Sequence, residues 1–472
     1  MPAAASTTTI SGPARSADAR VAMAPLVRSR RPGSRLALLG LDGVGAPLVE
    51  ALIDAGVMPR FAALRRHGTL AKMRSTLPTV SSVSWTSFMT GVNPGRHGIY
   101  GFTDVKPESY GISFPTYAQV RAPTIWDALG AEGRCTIVLN VPGTYPAKDI
   151  HGVLVSGFVA VNLERAVRPA SALAVLREHG YKIDVDYVNA DQRPDAFFAD
   201  LFATLEARRR VFRHYLAGEW DCFLGVVTET DRLHHYFWHV WEDRSHPLHQ
   251  RFLDFYAAVD VLIGEVADHL DDGTPLFVVA DHGHAMIDAE CHPNAWLRSE
   301  GLLRFTTDTP RSLADVDPSS RAFVLDPGRV YLNRRDRFAR GSVEPGPEAD
   351  AILASIGDGM LALEHAIGDA RRRVMKAMHR REDLYAGPCV DVAPDAVLEG
   401  HVGFDVKGGI SHGDLFGRSA LTGMHTYDDA LFFVNRPAFP ATDLAITDLA
   451  PTVLAWLGCR PVAPMDGRAL GV

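Results

Sequence analysis

The sequence has 472 residues, of which 47% are hydrophobic and 22% charged, a balance that is ordinary for a globular protein. A formal net charge of -8 argues against a nucleic acid polymer as partner, because polyanions bind surfaces rich in Lys and Arg. Five cysteines without C-x-x-C spacing exclude a disulfide framework and a zinc knuckle, so we expect reduced thiols.

The first 34 residues are rich in Ala, Ser, Thr and Arg and contain one acid, Asp18. We predict a disordered leader over residues 1–34, because this composition buries too little apolar surface to fold. Arg30 and Arg31 precede a short apolar run as in an export signal, but Asp42 interrupts that run. No run is apolar enough to span a bilayer, and we predict a cytoplasmic protein without a membrane partner.

Residues 36–41 form a wholly apolar run that ends in Asp42 and Gly43. This pattern predicts a buried parallel strand, and a helix is predicted to follow from about residue 47 to 67. Ligand sites of open α/β sheets lie outside the carboxyl ends of strands, which is where Asp42 falls. An Asp that caps the next helix is the alternative.

The stretch from residue 74 to 102 contains a hydroxyl cluster followed by an apolar turn, and its hydroxyls are Thr79, Ser81, Ser82 and Ser84. It predicts a loop that leads into a helix, with backbone N–H groups and hydroxyls at the helix start. Such a terminus attracts anions through its free donors and its dipole. An ordinary Ser or Thr N-cap is the alternative.

Further apolar runs predict strands at residues 135–139, 153–161, 222–227 and 275–280, and helices at 197–216 and 252–270. Asp231 and His235 follow one strand at a spacing of four, which places both on one face of a helix and suits chelation of one cation. A surface ion pair would have the same spacing. Asp281 and His282 follow another strand.

Residues 300–400 are less regular, and we predict a smaller inserted cap or subdomain there. Within it the pattern predicts a strand near 330–333 and helices at 348–363 and 369–378. His425 then precedes the apolar run 430–434, and a last helix is predicted at 447–457.

Most of these acids and histidines follow predicted strands, so a doubly wound, mostly parallel sheet with helices on both faces would gather them at one edge. Carboxylate and imidazole together suit zinc first, with manganese or iron as alternatives. Two clusters imply two divalent metal ions.

Several segments resemble the type I phosphodiesterase/nucleotide pyrophosphatase branch of the alkaline phosphatase superfamily. They are L-G-L-D-G, L-P-T-V-S-S-V-S-W-T-S-F-M-T-G-V-N-P-G-R-H-G-I, N-V-P-G-T-Y-P, T-D-R-L-H-H, A-D-H-G and G-M-H. The resemblance extends over nearly everything from residue 36 onward, and it implies an alkaline-phosphatase-like catalytic domain over residues 35–472.

The resemblance also implies the roles of individual residues. One metal ion would be bound by Asp42, Asp281 and His282, and the other by Asp231, His235 and His425. Ser81 would be the nucleophile that forms a phosphoseryl intermediate, with Ser82 and Thr79 as alternatives. The remaining histidines near these motifs are assigned supporting or surface roles: His234, His239, His284, His292 and His412.

The implied function is a metal-dependent hydrolase of small-molecule phosphoesters, most simply a phosphodiesterase or nucleotide pyrophosphatase. The alternatives are a phosphomonoesterase or phosphonate hydrolase of the same superfamily, then a phosphomutase or a non-catalytic binding protein. The sequence departs from the animal enzymes near Phe102, where those carry a phosphate-contacting Asn. Trp85, Phe102 and Tyr145 are candidates for the leaving-group pocket, or else core aromatics.

Overall fold

The computed structural model describes residues 35–471, and the predicted leader lies outside the described residues. Its strands are β1 (Leu36–Leu41), β2 (Thr69–Met73), β3 (Asp104–Val105), β4 (Ile112–Ser113), β5 (Thr136–Val141), β6 (Gly152–Ser156), β7 (Val167–Arg168), β8 (Cys222–Val227), β9 (Leu276–Val279), β10 (Gly283–Met286), β11 (Ala289–Cys291), β12 (Ala322–Leu325), β13 (Arg329–Leu332), β14 (Glu364–Ile367), β15 (Ala370–Arg373), β16 (Met375–Arg380), β17 (Ala396–Gly400), β18 (Phe404–Val406), β19 (Phe416–Gly417), β20 (Gly423–Thr426) and β21 (Ala430–Val434). Its α-helices are α1 (Ala46–Asp54), α2 (Pro59–Arg65), α3 (Ser81–Thr90), α4 (Pro94–His97), α5 (Ile125–Ala131), α6 (Ala172–Glu178), α7 (Pro194–Leu216), α8 (Glu229–Glu242), α9 (His249–Asp268), α10 (Pro293–Ser299), α11 (Pro347–Ala362), α12 (Arg381–Leu384) and α13 (Leu449–Trp456).

The central sheet has eight strands in the order β2-β21-β9-β1-β8-β5-β6-β7. Five neighbouring strands, β9, β1, β8, β5 and β6, run parallel, whereas β2, β21 and β7 pair antiparallel at the two edges. Strands β1, β8 and β9 are wholly apolar and buried along their whole length, as expected for parallel strands that are covered on both faces. The predicted doubly wound, mostly parallel sheet is therefore confirmed.

One predicted helix is wrong. The segment from about 47 to 67 contains two helices, α1 and α2, rather than one. Gly56 has φ +74° in the connection, and Pro59 begins the second helix, where a missing N–H costs nothing. The polypeptide therefore turns around Gly56, although the spacing of apolar residues there is that of one continuous helix.

Residues 300–400 contain a second sheet with the strand order β12-β13-β17-β16, and it has its own hydrophobic cluster. Helix α11 packs on it through residues such as Leu353 and Met360. That this unit is an inserted subdomain stays a prediction.

The helix predicted at 369–378 is also wrong, because those residues form β15 and the start of β16. Gly368 has φ +58° and allows a tight turn, after which Arg373 pairs opposite Glu364 in a hairpin. The backbone pairing of β15 with β14 and of β16 with β17 outweighs the helix propensity of this Arg-rich segment.

The sheet places three acids at one edge. Asp42 follows β1, Asp231 lies just beyond β8, and Asp281 lies just beyond β9, and these three strands are direct neighbours. A separate two-stranded ribbon pairs β10 with β20 and sets His284 opposite His425. Among residues 35–471, no helix is long and apolar enough to cross a membrane.

Candidate active site

Ser81 is the first residue of α3, and the residue before it, Val80, has extended backbone. The Ser81 hydroxyl Oγ lies 3.3 Å from Asp42 Oδ1 and 3.2 Å from His282 Nε2. The Ser81 hydroxyl therefore lies at the N-terminal end of a ten-residue helix, where backbone N–H groups and the helix dipole favour the binding of an anion.

The two alternative nucleophiles have different surroundings. The Thr79 hydroxyl donates to the carbonyl of Thr76 at 3.0 Å. The Ser82 hydroxyl is buried without a hydrogen-bond partner among residues 35–471, and it lines a small cavity with Phe102. Of the three hydroxyls, that of Ser81 is the one in contact with the acids and histidines at the sheet edge.

Asp42, Asp281 and His282, the predicted ligands of one metal ion, lie together and form the first predicted ligand group. His282 Nε2 lies 3.8 Å from Asp42 Oδ1 and 3.3 Å from Asp281 Oδ2. Asp281 Oδ1 accepts the backbone N–H of Gly43 at 3.1 Å, whereas its Oδ2 is buried with no hydrogen-bond partner in the described chain. A buried carboxylate oxygen without a hydrogen-bond partner destabilises the folded state, and a bound cation would remove this cost. The three side chains therefore have the chemistry of a cation site.

Asp231, His235 and His425 form the second ligand group. Asp231 Oδ1 lies 3.4 Å from His235 Nε2 and 3.5 Å from His425 Nε2, and the two imidazole nitrogens are 3.0 Å apart. Asp231 Oδ1 is buried and has no hydrogen-bond partner within residues 35–471. All six predicted ligands therefore come together with Ser81.

His284 joins the second group, although the sequence analysis gave it a supporting role. Its ring is buried, and its Nε2 lies 3.7 Å from Asp231 Oδ1. Together with Asp231, His235 and His425 it offers four ligand atoms within 4.8 Å of one another. The D-H-G-H run could have indicated this position from the sequence. In an extended chain, side chains two residues apart project to the same side, so His284 lies on the same side as His282.

The tautomers of these histidines are set by the backbone. Each ring directs Nδ1 at a carbonyl oxygen, which can only accept: His235 at Gly423 (3.0 Å), His282 at Gly283 (3.0 Å), His284 at Gly43 (2.9 Å) and His425 at Thr79 (3.1 Å). Nδ1 therefore carries the proton, and a lone pair remains on Nε2. Metal-binding histidines are commonly oriented in this way.

Burial and mutual repulsion set the electrostatics of the acids. Burial, followed by the charges of Asp281 and Asp231, raises the pKa of Asp42 well above its usual range. Burial likewise raises the pKa of Asp281 to about 7. At Asp231 burial also acts to raise the pKa, but the neighbouring His235 and His425 outweigh it and the net shift is downward.

The histidines are shifted toward their neutral forms, with one exception. Burial lowers the pKa of His235 to about 4 and lowers those of His282 and His284 well below the usual value. Burial acts in the same direction at His425, but the hydrogen bond and charge of Asp231 outweigh it and raise the pKa. Neutral imidazoles beside crowded carboxylates are the donor set that divalent cations bind.

The three aromatic candidates for a leaving-group pocket differ in position. Trp85 is fully buried and donates its indole N–H to Asp42 Oδ2 at 2.9 Å, so it is a core residue. Phe102 packs edge-on against Phe158 with ring centres 5.2 Å apart. Tyr145 is half-buried.

An open cavity of about 690 Å³ leads to the site, and His235, His425 and Thr79 form part of its wall. The opposite wall comes from β16, β17 and the residues around β18, and it carries both positive and negative charges. Lys376 pairs with Glu399 at 2.6 Å, and Lys407 pairs with Asp405 at 2.5 Å. The cavity is large enough for a small organic substrate.

The family model for type I phosphodiesterase / nucleotide pyrophosphatase matches residues 36–428. Phosphonoacetate hydrolase from Sinorhizobium meliloti, solved with phosphonoformate, is similar in structure: TM-score 0.60, 19% identity, 89% of this chain and 94% of that one covered. Murine ectonucleotide pyrophosphatase / phosphodiesterase 5, solved with AMP, has a TM-score of 0.56 at 13% identity, with 93% and 100% covered. At these identities the likeness concerns the fold. No curated protein sequence matches the chain.

Proposed function

The chain belongs to the type I phosphodiesterase/nucleotide pyrophosphatase family of phosphoester hydrolases, and we propose that it cleaves small-molecule phosphodiesters, nucleotides among them, through Ser81 at a two-metal site. The observation that carries this proposal is the contact of Ser81 Oγ with Asp42 and His282 at the start of α3. The family membership supports the reaction class, and this contact supports Ser81 as the nucleophile.

The residues present fit two divalent cations. Oxygen atoms of Asp231 and Asp281 and the Nε2 of His284 are buried without a hydrogen-bond partner in the described part of the chain. Asp42, Asp281 and His282 would hold one ion, and Asp231, His235 and His425 the other. Zinc suits this mixture first, with manganese or iron as alternatives. Such ions would lower the pKa of the serine hydroxyl and stabilise charge on the phosphoryl oxygens.

Ser81 Oγ attacks phosphorus, and the bond from phosphorus to the leaving oxygen breaks as the Oγ–phosphorus bond forms. Asp42 and His282 orient the hydroxyl from two sides, and the N–H groups at the start of α3 face the phosphoryl oxygens. Water then hydrolyses the phosphoserine and restores the Ser81 hydroxyl. Burial of Ser81 limits the access of bulk water to this intermediate.

The cavity beside the site would hold the leaving group. Its paired charges give it no strong preference for an anion or a cation, which suits a neutral or zwitterionic organic group. AMP and phosphonoformate, which the two structurally similar proteins bind, are small enough for this cavity and are suitable competitors in an assay. Five free cysteines support a reducing compartment, and we place the protein in the cytoplasm.

The test is metal analysis of the purified protein combined with hydrolysis rates. Three substrates test the three possible substrate classes: bis-p-nitrophenyl phosphate is a phosphodiester, p-nitrophenyl phosphate a phosphomonoester and phosphonoacetate a phosphonate. Two bound ions with the highest kcat/KM on the diester would support the proposal. A higher kcat/KM on the monoester or the phosphonate would leave the proposed metal site standing but would change the proposed substrate class. A protein that binds no metal, even on reconstitution, would refute it.

A further inference from the structure

His284 is a buried imidazole beside Asp231 that the family resemblance does not count among the metal ligands. Its side chain is fully buried, its Nδ1 donates to the Gly43 carbonyl, and its Nε2 has no hydrogen-bond partner within residues 35–471. A buried nitrogen lone pair that faces a carboxylate oxygen at 3.7 Å is unfavourable for both groups unless something positive lies between them.

We propose that His284 is a fourth protein ligand of the metal ion held by Asp231, His235 and His425, an inference that rests on the proposed function. Zinc bonds of about 2.0–2.1 Å in a tetrahedron place ligand atoms roughly 3.3–3.4 Å apart. The recorded separations from Asp231 Oδ1 to the three Nε2 atoms are 3.4, 3.5 and 3.7 Å, and His235 and His425 are 3.0 Å apart. These four separations are close to the edge of such a tetrahedron, and all four ligand atoms lie within 4.8 Å of one another.

The backbone around His284 is shaped for this role. Gly43 has φ +72°, and a Cβ there would lie 2.7–2.8 Å from the His284 ring and 3.1 Å from Asp231 Oδ1, so only glycine leaves room. The Gly43 carbonyl also accepts from His234 Nδ1, and Tyr256 donates to the other nitrogen of His234. This chain of hydrogen bonds holds the carbonyl, and through it the His284 ring, in one orientation.

A fourth protein ligand changes what the ion can do. Three protein ligands leave an open position for substrate or water, whereas an ion with four protein ligands reaches a substrate oxygen only as a fifth ligand, an expansion that zinc permits in the transition state. The ion near His284 would then be held more tightly than the ion near Ser81. Removal of metal by a chelator would proceed in two phases, of which the slow one belongs to the four-ligand site.

The experiment is a Co²⁺ titration of metal-free protein followed by visible absorption, which reports coordination number. Wild type is compared with His284→Ala, His284→Gln and the control His239→Ala, which removes a histidine of α8 outside the cluster. Gln can still donate to Asp231 but is a poor metal ligand, so it separates a ligand from a hydrogen-bond partner. Circular dichroism checks the fold of each variant.

We expect wild type and His239→Ala to bind two Co²⁺ ions, one with the intense absorption of a four-coordinate site. Both His284 variants should lose that absorption, bind this ion at least about a hundredfold more weakly, and release metal in one phase. A wild-type spectrum and affinity in His284→Gln would overturn the assignment of His284 and leave the proposed function intact. Absence of Co²⁺ binding in wild type would overturn both.

Discussion

Trp85 donates its indole N–H to Oδ2 of Asp42 at 2.9 Å, while Ser81, one helical turn earlier, contacts Oδ1 of the same carboxylate at 3.3 Å. Helix α3 therefore contacts the acid at the end of β1 twice. The carboxylate is too buried to be reached by solvent, so its orientation depends on these contacts. The position of the proposed nucleophile and that of the acid are coupled through one side chain.

Replacement of Trp85 by Phe should lower both stability and turnover. The substitution leaves Asp42 Oδ2 without its donor in a buried place, which costs about 1–3 kcal/mol of unfolding free energy. It also frees the acid beside Ser81, so kcat should fall by more than tenfold. Urea denaturation and steady-state kinetics measure the two effects. Trp126→Phe is the matched control, because that buried indole donates to Tyr117 instead; an equal loss of kcat in both variants would contradict the coupling.

Ser81→Ala should retain bound metal and lose activity by at least about a thousandfold, because the remaining residues can bind substrate but cannot form the phosphoserine. Ser82→Ala, which removes the neighbouring buried hydroxyl, should stay within a few-fold of wild type. Metal content and kcat are measured for both. If the two variants exchange these behaviours, the nucleophile is Ser82.

Removal of metal should destabilise the protein. Asp42, Asp231 and Asp281 are each less than 5% exposed and lie close together, and one oxygen atom each of Asp231 and Asp281 has no hydrogen-bond partner within residues 35–471. An ion present at a thousand times its Kd would contribute about 4 kcal/mol. Calorimetry with and without chelator should show a lower Tm for the metal-free form. No change in Tm, after metal analysis confirms removal, would argue that the cluster is not a metal site.

His97 should make the protein less stable at acid pH. Burial lowers its pKa from 6.5 to about 3, and its ring accepts the N–H of Ile99 at Nδ1 and contacts the Ser87 hydroxyl through Nε2. The neutral ring is favoured in the folded state, so its contribution is complete above pH 6.5 and is lost as the pH falls toward 3. Between pH 7 and 5 the loss is about 2 kcal/mol.

The measurement is urea denaturation of wild type and His97→Gln at both pH values. The difference in unfolding free energy between the two proteins should shrink as the pH falls, since Gln does not titrate. Metal release at acid pH affects both proteins and cancels in the comparison. A constant difference between pH 7 and 5 would show that folding does not lower the pKa of His97.

Arg208 and Glu229 form an ion pair at 2.8 Å with no solvent exposure on either side chain. Glu229 lies in the same helical turn as Asp231, and loss of the pair would leave the charge of Arg208 buried and uncompensated. Glu229→Gln should cost about 3–5 kcal/mol of unfolding free energy, measured by urea denaturation. The exposed pair of Arg177 and Glu164 offers the control, since Glu164→Gln should change stability little.

Much of the sheet and most of the candidate site could be predicted because several inner strands are recognisable from their local sequence alone. The runs at 36–41 and 222–227 are apolar throughout, and an acid follows each one closely. Once these strands are adjacent, Asp42, Asp231 and Asp281 must meet at one edge. The chemistry of that edge therefore follows from the order of residues along the chain.

The remaining features depend on contacts between distant residues. The segment 369–378 has no local signal that separates a strand from a helix, and its pairing with 364–367 and 396–400 decides the matter. His284 lies close to Asp231 because β10 pairs with β20 and because Gly43 has no side chain. Neither relationship can be read from periodicity.

Strand β21 lies between β2 and β9 in the central sheet. On the ribosome, β2 and β9 are made long before residues 430–434, and each then presents an unpaired edge to other nascent chains. A chain that ends before His425 lacks both the closing strand and one proposed metal ligand. If the proposed metal site is correct, an unfinished polypeptide of that length has an exposed sheet edge and no hydrolytic activity.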